Sequence, residues 1–256
     1  MFASGRDNKN GDQLYAMSAD GSNPTLLTKD LSGGWMPAIS PDRTRIAFTS
    51  AHVGDGNPTI YVMAVEGSDV HRITDGNAPS IHASWSPDGK RLLYEAWPNE
   101  LYINDLTGGE PTKVTDGMMP AWSPDGRSIA FCDPSVDGEM DTASPTGADA
   151  TLLSKAANGC LPAWSPDGKR LAFGGTQNGK SGIFVANPDG SGLERLTTTT
   201  GKDDWPAWSP DGTRIAFSRS ATQDGPADVW VMNADGSHAA NLTNSPKISD
   251  WAPSWR

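Results

Sequence analysis

The segment Pro-Ala-Trp-Ser-Pro-Asp-Gly occurs three times letter for letter, from Pro120, Pro162 and Pro206. Looser copies start at Pro37 and Ala83, and a sixth begins at Pro253 and meets the chain end at Arg256. Successive starts lie 46, 37, 42, 44 and 47 residues apart. A period of ~20–50 residues marks a repeat architecture, in which each unit buries its apolar face only against its neighbours.

Two further markers recur between the copies. One is an apolar-aromatic run before a turn, as in Leu14-Tyr15-Ala16-Met17, Ile60-Tyr61-Val62-Met63 and Val229-Trp230-Val231-Met232. Leu101-Tyr102-Ile103 and Ile183-Phe184-Val185 repeat it, and the copy near Met140 is degenerate. The other is a short run ending in a hydroxyl, with six copies that close on Thr28, Thr74, Thr115, Ser154, Thr197 and Thr243. Each unit thus reads as four short strands, a to d, rich in β-branched and aromatic residues and separated by Gly, Pro, Asp and Asn. Strand a carries Pro-Ala-Trp, and strand b is Arg-Ile-Ala-Phe-like, as at Arg214 to Phe217. In Ser-Pro-Asp-Gly, Pro presets φ for a tight turn and Gly supplies the left-handed closing position. Arg43 stands where the other units have that Gly, so the first turn should be the least ideal.

Four antiparallel strands per unit and no helical periodicity predict an all-β fold, a six-bladed β-propeller. The blades fall near 35–80, 81–117, 118–159, 160–203, 204–249, and 250–256 with 1–34, in one domain over 1–256. Phe2 matches the strand-b aromatics Phe48, Tyr94, Phe131, Phe173 and Phe217, and Trp255 matches the strand-a Trp. The sixth blade is therefore expected to be closed by both chain termini, covering the sheet edges. Only Arg256 and Met1 stand between Trp255 and Phe2, so about six residues of turn and strand b are absent at that junction compared with Trp208 to Phe217.

Trp-Ser-Pro-Asp-Gly-Lys-Arg-Leu-Ala-Phe (164–173) and Val-Trp-Val-Met-Asn-Ala-Asp-Gly-Ser (229–237) resemble the repeat of TolB-type six-bladed propellers. The resemblance covers essentially the whole chain. It implies a non-enzymatic module that binds a protein or peptide, in the periplasm or outside the cell. The same repeat also serves in propeller domains of prolyl-oligopeptidase-like enzymes. The α/β domain that precedes the propeller in TolB is missing from this sequence.

A net charge of −11 with no basic stripe argues against nucleic acid. The longest apolar stretch, Ile60 to Val65, is far short of the ~18 residues of a membrane span, so no membrane insertion is expected. No signal peptide is visible at the N-terminus. Cys132 and Cys160 are read as free, partly buried thiols. The expected state is a monomer.

The repeat also isolates a candidate site by subtraction. Trp85, Trp122, Trp164, Trp208 and Trp255 hold the strand-a position, and Trp230 stands where other units carry Tyr or Phe. Those six are expected to pack as scaffold. Trp35, Trp97, Trp205 and Trp251 remain. Trp35, Trp205 and Trp251 fall in d-to-a connections and Trp97 in a b-to-c connection, which emerge on one face of the disc. Met36, Ile81, His82, Met118, Met119, Cys160 and Leu161 flank the same starts of strand a. Strand a lines the central channel, so these residues should rim its mouth, an apolar concavity suited to a partner. The bland alternative is that they only plug the channel. Asp203, Asp204 and Asp250 are placed at this mouth, where they would favour a cationic group, hold Ca²⁺ through oxygen ligands, or act as an acid/base pair on a carbohydrate. Turn capping is the competing role. His82 is expected to face solvent there, the alternatives being a carbohydrate-active hydrolase or lyase that uses it with these Asp residues, or a structural propeller domain of a larger protein; His52 is expected to lie in a b-to-c loop of the same face. Asp7 to Asp12 fails the spacing of a calcium loop, because Lys9 and Gly11 fall at ligand places. No nucleophile elbow, phosphate loop, zinc spacing or other cofactor signature is present.

Overall fold

The computed structural model describes residues 1–6, 11–29, 31, 33–51, 56–135, 138–154 and 158–255. His52 and Asp7 to Asn10 lie outside them. The described residues form six four-stranded antiparallel sheets and no helix. Blade 1 runs Trp35–Ile39, Arg45–Ser50, Thr59–Ala64 and His71–Arg72. Blade 2 runs Ser80–Trp85, Arg91–Ala96, Glu100–Asp105 and Thr112–Asp116. Blade 3 is Met118–Trp122, Ile129–Cys132, Met140–Ala143 and Thr151–Ser154. Blade 4 is Asn158–Trp164, Leu171–Gln177, Lys180–Ala186 and Glu194–Arg195. Blade 5 is Lys202–Trp208, Arg214–Ser220, Ala227–Asn233 and Ala240–Asn241. Blade 6 joins Asp250–Trp251 to Phe2–Ser4, Gln13–Ala16 and Thr25–Leu26. Ala3 pairs with Trp251 and Ser4 with Asp250. Met1 and Ser254 exchange backbone hydrogen bonds of 3.0 and 2.9 Å, so the junction closes without the missing hairpin.

The turns carry out the chemistry of their letters. In each Ser-Pro-Asp turn the Ser hydroxyl donates to the Asp Oδ1, at 2.6 Å for Ser209 and Asp211. The Asp in turn accepts the N–H two residues on, and the Ser oxygen accepts the first N–H of strand b, as from Thr213 and Arg214. The closing glycines Gly89, Gly126, Gly168 and Gly212 have φ between 67° and 74°, and Arg43 adopts 62° in the same place. The hydroxyl that ends strand d also has a task. Thr28, Thr74, Thr197 and Thr243 each accept a strand-c N–H, from Leu14, Ile60, Ile183 and Val229, where strand d turns away.

Apolar clusters lie between successive blades, which is why the repeat needs neighbours. Phe2, Tyr15 and Val229 join blades 6 and 5, while Leu14 packs with Ile46 and Phe48 across blades 6 and 1. The strand-a tryptophans are wedges in these seams. The indole N–H of Trp85, Trp164 and Trp208 donates to the carbonyl of Ala38, Ala121 and Ala163 in the preceding blade, at 2.9–3.1 Å. Arg45, Arg91 and Arg214 lie 4.7–4.8 Å over the rings of Trp85, Trp122 and Trp255.

The expectation of free thiols is corrected. Cys132 and Cys160 form a disulfide, with their Cα atoms 5.8 Å apart, within the usual range. They are 28 positions apart in sequence and belong to different units. The fold brings them together because strand b of blade 3 packs against strand a of blade 4.

Candidate functional site

Strand a begins earlier than the repeat suggests. Trp35, Met118, Asp203, Asp204, Trp205, Asp250 and Trp251 lie within strand a and not in connections, and Asp203 belongs to blade 5. Register shifts interrupt the pairing of strand a with strand b in blades 1 to 5, as between Trp35 and Ala38 and between Asp204 and Ala207. The residue at the shift is left-handed in every blade. Met36, His82, Met119, Leu161, Trp205 and Ala252 have φ of 48–62°. This repeated bulge turns those six inward, where they line a cavity of about 110 Å³ at the narrow mouth of the channel.

The mouth brings together five of the named candidates, Met36, His82, Met119, Leu161 and Trp205. His82 and Trp205 stack with ring centroids 5.6 Å apart, and Trp205 meets Trp251 edge-on at 5.3 Å. The residues one step earlier do not line the cavity. Trp35 and Trp251 pack partly into the seam between blades 6 and 1, with the Trp251 indole donating to Asp12 Oδ2 at 2.9 Å. Met118 and Cys160 pack into the seam between blades 3 and 4. Trp97 stands apart in its turn, 69% exposed.

His82 does not face solvent. It is 9% exposed, and its Nδ1 lies 2.8 Å from Glu95 Oε2. That oxygen also accepts the Met119 N–H at 2.9 Å, tying blade 2 to blade 3. A carboxylate oxygen accepts, so the ring nitrogen that faces it, Nδ1, is the one that donates. His82 Nε2 is buried and has no hydrogen-bond partner among the described residues.

The carboxylates are mostly committed to the scaffold. Asp203 is 1% exposed. It accepts the Arg219 fork at 2.7 and 2.6 Å and the Thr197 hydroxyl at 2.6 Å. Asp250 is fully buried and takes Arg6 at 2.7 and 3.3 Å. Asp203 and Asp250 are thus each buried and paired with an arginine in this structure. The arginines stack on the strand-b and strand-c aromatics, Arg219 over Phe217 and Trp230 and Arg6 over Phe2 and Tyr15. Blades 1, 3 and 4 carry Gly34, Gly117 and Gly159 at the same place. A Cβ on Gly117 would sit 2.7 Å from Phe131. Asp204 pairs with Lys202 at 2.8 Å, while burial pushes its carboxyl above the usual range and Lys202 offsets part of that rise. Among the described residues no group of three His, Cys, Asp or Glu converges as a metal site.

Sequence reading missed Glu95, Arg6 and Arg219. Glu95 had a signal, because its strand-b position holds Thr49, Cys132, Gly174 and Ser218 in other blades, all small.

The TolB beta propeller domain family matches residues 2–117 and 98–256, nearly the whole chain. A protein TolB homolog of Chlorobium luteolum is 34% identical over 190 residues, covering 70% of this chain and 43% of that protein. This chain thus spans under half the length of that relative. TolB from Acinetobacter baumannii superposes with a TM-score of 0.82 at 22% identity, covering 99% of this chain and 65% of that one. An oligogalacturonate lyase in complex with manganese superposes with a TM-score of 0.63 at 16% identity, covering 94% and 72%. At such identities both likenesses are of fold.

Proposed function

The chain belongs to the TolB β-propeller family, and on that premise we propose that it is a non-enzymatic binding module for a protein or peptide. The partner inserts an apolar group at the narrow mouth of the channel. The observation that carries this reading is the ring of Met36, His82, Met119, Leu161 and Trp205 around that mouth, with His82 stacked on Trp205 and Trp251 backing Trp205 edge-on from the neighbouring seam. Aromatics in a desolvated centre dominate binding energy, and Met adapts to irregular partners. Trp97 extends the surface outward as a peripheral contact. The disulfide supports a periplasmic or extracellular setting, because such bonds persist in oxidising compartments.

A carbohydrate-active reading has less support. The lyase likeness is of fold, and Asp203 and Asp250 are each spent on an arginine.

Panning a random peptide library against the intact chain tests the proposal. Selected peptides should lose more than about tenfold in affinity to the Trp205→Ala/Trp251→Ala variant. Unchanged affinity in the folded double variant would sink the idea.

A further inference from the structure

Beyond the collar formed by Pro37, Ala83, Pro120, Pro162, Pro206 and Pro253 the channel widens. A second cavity of about 420 Å³ opens toward the Ser-Pro-Asp turns on the opposite face. This volume falls in the range of small-molecule sites. Its wall is Pro, Ala and Trp from the repeat, with few departures, and those departures share one sector. Arg43 in blade 1 replaces the turn glycine. Ser84 in blade 2 and Ser254 in blade 6 replace the Ala of Pro-Ala-Trp. Ile39 in blade 1 replaces the Trp and leaves more room beside them. Blades 6, 1 and 2 are consecutive around the ring.

The polar departures are all donors. Ser84 Oγ accepts the Trp122 N–H at 2.9 Å and Ser254 Oγ accepts the Ile39 N–H at 3.3 Å. Each hydroxyl proton is thereby left to donate, and neither has an acceptor among the described residues. Among the described residues the Arg43 guanidinium has no hydrogen-bond or ion-pair partner, and Arg43 is the one charged residue among them that lines this cavity. It also holds a left-handed φ of 62°, which disfavours any side chain and which the other turns leave to glycine.

We propose that this wide end of the channel binds a small monocarboxylate with a flat apolar body. The carboxylate meets the Arg43 fork, the Ser84 and Ser254 hydroxyls offer donors on the walls to either side, and the body lies against the Pro and Trp wall. One guanidinium matches one negative charge. A dianion would leave one charge uncompensated, which the chain's net charge of −11 and the aspartates of the turns this end opens toward disfavour. The site shares the Pro and Ala collar with the partner-binding mouth but uses none of its His, Trp, Met or Leu side chains.

The test is calorimetric titration of the intact chain with 4-phenylbutyrate, against 4-phenylbutyramide as the neutral counterpart. Arg43→Gly and Ser84→Ala install the residues that other blades carry, so both variants should fold. Saturable binding of the carboxylate is expected, weakened about tenfold or more by Arg43→Gly and about threefold by Ser84→Ala, with the amide indifferent to Arg43→Gly. No saturable binding, equal affinity for acid and amide, or unchanged affinity in Arg43→Gly would each overturn the proposal.

Discussion

A single residue in this chain is best understood by comparison with its counterparts in other blades. Arg43 shows the method. Its turn makes the same Ser–Asp hydrogen bonds as the others, Ser40 to Asp42 at 2.5 Å, yet closes on a left-handed arginine. Relief of that conformation is worth ~1–2 kcal/mol, offset by the freedom glycine adds to the unfolded chain. Arg43→Gly should therefore raise stability by about 0.5–1 kcal/mol, read as a higher urea midpoint at unchanged slope. An unchanged or lower midpoint would show that the turn is not strained. Glu95 makes the same point for the site. A carboxylate at a position that is small elsewhere was visible in the sequence, but its partner His82 lies on another strand whose register the repeat alone did not reveal.

At the scale of the element, the tryptophans separate into two kinds. Those of Pro-x-Trp wedge between blades, and Trp208 is typical, 9% exposed with its indole N–H on Ala163 O at 3.1 Å. Trp208→Ala should cost about 3–5 kcal/mol, because the seam between blades 4 and 5 cannot collapse around the cavity left behind. Trp97→Ala, in an exposed turn, should change stability by less than about 0.5 kcal/mol. Thermal or urea unfolding of the pair checks both, and equal losses would refute the division. Strand a itself was legible from Pro-Ala-Trp onward. Its earlier half was not, because the left-handed bulge falls on Met, His, Leu, Trp and Ala, residue types that carry no turn signal.

For the whole molecule, repetition makes local chemistry collective. Asp42, Asp88, Asp125, Asp167 and Asp211 are all held below the usual carboxylate range, first by the turn Ser hydroxyl and then by the backbone N–H two residues on. Asp42 and Asp211 are lowered to about 2. A folded value below the unfolded one gives stability that is full above the unfolded value and lost as pH falls through the folded one. The urea midpoint should thus drop between about pH 4 and about pH 2, as five blades lose the same turn contact. A midpoint flat across that window would contradict this role. The sequence by itself determined the strand count per unit, the six blades, the turn chemistry and the wedge tryptophans, because each rests on contacts within a unit or on the period between units. Only the tertiary structure decided which side chains face the channel, that Cys132 meets Cys160, and that Asp203 and Asp250 serve arginines. Those outcomes depend on strand register and on how neighbouring blades abut, and spacing along the chain does not encode either.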